Sequence, residues 1–199
     1  MPVDLFAFLI FGAAMVGTPG PANMVLLSAG ARFGLRPALP FVAGVALGKQ
    51  LIIWPIGFGL MGVLSTYPEI ILTLKLVSAA YILWLAWTIA GGAIRPTKEA
   101  EASPGFFEGL AVHPLNPKAW AMVTTGFTAF TVADAPVFLV TLSIATALLA
   151  IQILLHPLWC WGGARLAAAI GGTGQERWLM RGLAAATVLS VAAVFWKGA

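Results

Sequence analysis

The chain has 199 residues, 60% hydrophobic and 9% charged, with a mean hydropathy of +0.96; soluble domains carry about 25% charged residues, so lipid is its natural solvent. The net charge of +4 and pI near 9.6 do not amount to a nucleic-acid surface, because the basic side chains are spread among apolar stretches. Cys160 is the single cysteine, which excludes an intrachain disulfide and a dithiol redox centre.

Six apolar stretches follow in chain order: 4–30, 38–64, 67–90, 107–131, 136–161 and 178–197. A hydrocarbon core about 30 Å thick needs about 20 apolar residues per helix, so six spans use nearly the whole chain. The run from Leu5 to Val16 has Asp4 before it and no A-x-A site after it, which reads as a retained helix rather than a signal peptide. A polar segment, 92–105, separates a first three-helix unit, 1–91, from a second, 106–199. Gly171 to Gln175 form a second joint before the last helix.

Positive residues in short loops stay cytoplasmic. Arg32, Arg36, Arg95, Lys98, Arg165, Arg177 and Arg181 fall in the loops expected after helices one, three and five, which puts both termini outside, Lys197 being the one dissent. Three helices per unit force the two units into opposite orientations, as in an inverted repeat. The expected fold is therefore all-α and polytopic, with six transmembrane helices in two inverted three-helix repeats and breaks in helices one and four.

The breaks are written in proline. Pro19-Gly20-Pro21 interrupts the first helix, and Pro114 and Pro117 the fourth; aligning Pro21 with Pro117 gives an offset close to half the chain. Backbone groups freed inside lipid need protein or water partners, so paired breaks point to a midplane cavity, with Asn23 and Asn116 beside them. Lys49, Lys75 and Lys118 lie in apolar stretches without a carboxylate neighbour in sequence, and Lys118, adjoining a break, is the strongest candidate to bind a carboxylate. His113 and His156 offer neutral-range titration but no sequence partner, and Gln152 reads as a helix-to-helix hydrogen bond. Gly44 and Gly48 form a G-x-x-x-G packing pair, and the tryptophans lie mostly near helix ends as interfacial anchors. The two histidines and the serines lack the spacing of a hydrolytic site, and with H-E-x-x-H absent the ligand inventory for zinc is poor.

Gly17-Thr-Pro-Gly-Pro-Ala-Asn23, Ala31-Arg-Phe-Gly34 and Gly44-Val-Ala-Leu-Gly48 resemble the N-terminal signature of the LysE/RhtB translocator family, and Leu115-Asn-Pro-Lys118 resembles its fourth helix. The resemblance implies a transporter, not an enzyme: secondary export of amino acids or related small metabolites across the bacterial inner membrane. It further implies alternating access, an ion gradient such as H+, no cofactor, and a homodimer. It carries Pro19, Gly20 and Pro21, and Asn116, Pro117 and Lys118, over as the two broken-helix elements, beside which Asn23 and Lys49 complete the expected substrate site. Relatives often have an acidic or small residue where this chain has Lys49, so a cavity-facing Lys49 favours anionic over basic cargo. The alternative is a membrane accessory or assembly subunit without transport, which needs neither deep lysines nor a wet midplane.

Overall fold

The computed structural model describes residues 1–60, 66–90, 103–171 and 173–196, and all regular elements among them are helices. In chain order they are α1 (Leu5–Gly17), α2 (Pro21–Phe33), α3 (Leu35–Gly48), α4 (Gln50–Gly57), α5 (Pro68–Ala90), α6 (Phe106–Val112), α7 (Pro117–Phe130), α8 (Val137–Ile170) and α9 (Glu176–Trp196). Most of the expected linker 92–105, with Arg95 and Lys98, lies outside the described residues.

Both breaks fall where proline requires them. Gly20 and Asn116 are the N-caps of α2 and α7, and each is followed by proline at the first helical position, where the missing N–H is not needed. The first break bends the chain by 53° between α1 and α2. Asp4 starts α1 by accepting from Ala7 N at 3.2 Å, while Asp4 N donates to Phe130 O and Val132 N to Pro2 O. These bonds tie the N-terminal end of α1 to the end of α7. The expected first helix is thus a half-helix fastened into the second unit.

Among the described residues, two helices are long and apolar enough to cross a membrane, Leu35–Gly57 taken through Lys49 and Val137–Ile170; the bent pair α1–α2 makes a third if counted as one span. The breaks expected in the first and fourth stretches are both present. A break divides the fourth into pieces of 7 and 14 residues, and neither alone crosses about 30 Å. The fifth stretch also ends later than expected. Its helix runs on to Ile170, so Arg165 lies in helix, near the Trp161 ring, rather than in a loop. Hydropathy falls at the lipid boundary, but an alanine-rich segment continues to favour helix in water. Arg32 and Arg36 likewise sit in helical end turns, because the connection from α2 to α3 is the single residue Gly34, and Arg177 and Arg181 fall in the first two turns of α9.

Small residues let these helices touch backbone to backbone. A methyl group at Gly30 would overlap the Cys160 carbonyl, and one at Gly163 the Leu27 carbonyl, so α2 and α8 form the most intimate crossing. Gly44 and Gly48 of α3 face α6 in the same way, with Gly109 opposite. The G-x-x-x-G pair therefore packs within one chain. Tyr81 OH adds a bond from α5 to Glu108 O at 2.7 Å.

The interior divides into two apolar clusters. One contains Val25, Leu26, Phe41, Val45, Val112 and Cys160; the other contains Phe8, Val16, Ile52, Val123, Leu148 and Ile151. Asn23, Lys49, His113 with Asn116, and Gln152 with His156 are buried polar residues at or beside four of the places where the chain passes from one cluster to the other. A polar layer lies between two apolar cores.

Candidate functional site

The polar layer surrounds a small cavity. Its polar lining is Asn23, Lys49, His113, Asn116, Lys118 and His156, and Met15, Val16, Ala22 and Met122 supply apolar walls. About 20 Å³ is open to the centres of water-sized molecules, which holds water and excludes an amino acid in this conformation.

The first break is held by the second. Asn23 Nδ2 donates to Val16 O at 2.7 Å and Thr18 O at 2.8 Å, satisfying carbonyls that α1 leaves open where it stops. Lys118, from α7, reaches across and donates to Thr18 Oγ1 at 3.0 Å and to the Thr18 and Pro19 carbonyls at 3.3 Å. Its charge thus sits against the negative end of the α1 dipole. Asn116 closes the other break by accepting from Lys118 N at 3.0 Å.

Gly20 leaves room for this bridge. A Cβ there would lie 3.0 Å from Lys118 Cδ and 3.1 Å from Nζ. Gly20→Ala should therefore push the lysine off Thr18, with an expected loss of about 1 kcal/mol, or about fivefold in transport rate at matched abundance. Initial efflux rates would check it, and an unchanged rate would show that the lysine stem moves aside at no cost.

Lys49 occupies a loosened turn between α3 and α4 and is 2% exposed. Its Nζ meets Met122 Sδ at 3.7 Å. The Lys75 side chain lies outside the described set. Of the eight expected site residues, Gly20, Asn23, Lys49, Asn116 and Lys118 line the cavity. Pro19, Pro21 and Pro117 do not line it; they shape the backbone of the breaks, and Pro19 contributes its carbonyl to Lys118.

Sequence reasoning left the histidines without partners, and here the two come together. The His113 and His156 rings lie 5.5 Å apart, and Gln152 Nε2 is 3.1 Å from His113 Nε2. With the amide donating, His113 Nε2 accepts and its Nδ1 carries the ring proton. Nδ1 of both rings and Gln152 Oε1 are buried without a hydrogen-bond partner among the described residues, an arrangement rare in interiors and suited to a polar guest. One sequence signal pointed to the pair: His113-Pro114-Leu115 recurs as His156-Pro157-Leu158. Among the described residues, no group of three His, Cys, Asp or Glu could hold a metal. Among the described residues, no carboxylate lines the cavity.

A family model described as LysE type translocator matches residues 13–198. A cysteine/O-acetylserine efflux protein of Klebsiella pneumoniae is 31% identical over 189 residues, covering 91% of this chain and 83% of that protein. Proteins of the same description from Salmonella typhi and Shigella flexneri are 36% and 34% identical over 118 and 133 residues. Those alignments cover 60% and 66% of the relatives' lengths. No solved structure matches the chain.

Proposed function

The chain belongs to the LysE type translocator family, and from that premise we propose that it exports small amino acids or related metabolites from the cytoplasm by alternating access. The observation that carries the reading is the cavity where the two breaks meet, with two lysines, two histidines and two asparagines on its walls and no carboxylate. A substrate carboxylate entering there meets the Lys118 charge and the first-turn amides of α2, which have no acceptor within their own helix. The relatives described as cysteine/O-acetylserine efflux proteins make those two compounds the first to try.

In this reading residues 1–91 and 106–199 are inverted three-helix repeats joined by a cytoplasmic linker, 92–105, and the polar layer lies near the bilayer midplane. The arginines at the ends of α2, α3, α8 and α9 support an orientation with both termini outside. The membrane is the bacterial inner membrane, the resemblance supports a homodimer, and an inward proton gradient supplies the driving force. The repeats rock about this cavity to open it to either side.

The test is efflux from cells preloaded with labelled cysteine, O-acetylserine, and acidic, neutral and basic amino acids, with and without the protein. Faster release of one chemical group of substrates is expected. Equal release of every panel member from both cell populations would reject the export reading.

A further inference from the structure

We propose that Lys49 is the group that exchanges the coupling proton, giving it up when the ammonium of a zwitterionic substrate enters the cavity and taking it back on the far side of the membrane. The inference rests on the export reading and adds to it the residue and the sign of the coupling.

The two cavity lysines are held unequally. Lys118 donates to three oxygens at the end of α1. Lys49 is 2% exposed, and among the described residues its Nζ has a thioether, Met122 Sδ, in place of an oxygen or nitrogen acceptor. The groups facing it are Lys118 and Met122 from α7, His113 from the end of α6, His156 from α8, and Asn23 from α2. None is an acid, so no described residue gives Lys49 a counter-charge within the cavity.

An amino acid brings both a carboxylate and an ammonium. The carboxylate has Lys118 and helix amides to face, whereas the ammonium adds a third positive charge to a low-dielectric pocket. Two unit charges about 4 Å apart repel by about 4 kcal/mol at an effective dielectric constant of about 20. Loss of one proton from Lys49 Nζ removes that repulsion. The electron pair stays on nitrogen, which changes from donor to acceptor and can receive an N–H of the substrate ammonium.

The proton passes to cytoplasmic water as the substrate binds. When the cavity faces outward, a proton from external water adds to Nζ, restores the like charge and expels the ammonium. Proton and ammonium compete for one place, and competition for an alternating site produces exchange, one proton inward for each substrate outward. An anionic substrate without an ammonium would give the opposite sign, because it binds best with Lys49 protonated.

The experiment uses the purified full chain with labelled cysteine, kept reduced and at about pH 6.5. Cysteine binding to the wild type in weakly buffered detergent solution should release about one proton per cysteine bound. In proteoliposomes with the membrane potential clamped, an imposed difference of about one pH unit should support about tenfold accumulation. Lys49→Met should release no proton and stop near equal concentrations, losing far more driven accumulation than cysteine counterflow. Lys49→Arg, which keeps its proton, should show neither proton release nor driven accumulation.

Proton uptake on cysteine binding, or driven accumulation retained in either variant, would overturn the assignment. If Lys49→Met does not fold, the sign of proton exchange in the wild type and the behaviour of Lys49→Arg decide the matter. Absence of counterflow for cysteine and O-acetylserine in the wild type would remove the export reading itself, and this inference with it.

Discussion

Lys118→Ala should lower the initial efflux rate by at least about thirtyfold at matched membrane abundance. The lysine carries a positive charge into the cavity and makes three charge-assisted contacts with the carbonyl end of α1, at 3.0 to 3.3 Å. Hydrogen bonds to charged groups contribute about 1.5–3 kcal/mol, and a loss of about 2 kcal/mol corresponds to about thirtyfold. Truncation also removes that cation from the Thr18 and Pro19 carbonyls. Lys118→Arg separates charge from shape: it keeps the charge but brings a wider planar head past Gly20, where room is short. It should recover part of the rate. If Lys118→Ala transports normally while its melting temperature falls, the lysine is a structural cap and the substrate carboxylate binds elsewhere.

The second large effect is on stability. Gly163→Val and Gly30→Val should each destabilise the protein by about 3 kcal/mol, because the new side chain would begin inside a backbone carbonyl of the facing helix and only a shift of α2 against α8 can relieve it. For a chain of this length that lowers the melting temperature by about 6–12 °C, measurable by thermal unfolding in detergent. Gly182→Ala is the control. Nothing lies within 4 Å of a Cβ there, so its helix should be unaffected or slightly more stable. Similar losses at all three glycines would mean that helix propensity, rather than the α2–α8 crossing, governs the result.

These two expectations differ in how far the sequence anticipates them. Lys118 stands next to Pro117 in a helix whose break is a local consequence of proline, so its place beside a break could be read directly. What it binds could not, since Thr18 and Pro19 are about a hundred residues away in the chain. Gly44 and Gly48 announced a close approach by their spacing, and Gly30 shares that spacing with Gly34, but Gly163 has no glycine four residues away. Their importance comes from a facing carbonyl that only the packed helices supply.

Lys49 shows why the cavity was only half legible. In a soluble helix the apolar stripe tells which side faces inward, but lipid and core are both apolar, so an apolar face does not by itself tell which side of α3 and α4 faces the interior. The sequence placed a lysine at depth and left its direction open. The fold turns it into the layer that also holds Asn23, Asn116 and His156. The histidines pose the same problem over a longer range. Forty-three positions separate two rings whose centroids lie 5.5 Å apart, and neither neighbourhood in sequence contains the other.

Composition and covalent geometry by themselves determined a lipid-embedded helical chain, the two proline-written breaks, and the lysines and asparagines beside them, because hydropathy and the backbone limits of proline act within a few residues. Tertiary structure alone decided that α1 ends against α7, that Lys118 caps it, that Lys49 and the histidine pair share one cavity without a carboxylate, and that α8 continues past the apolar boundary. Those features depend on how helices with nearly uniform apolar surfaces rotate and cross, and in this chain the contacts between small residues and the pairing of buried polar groups set that choice.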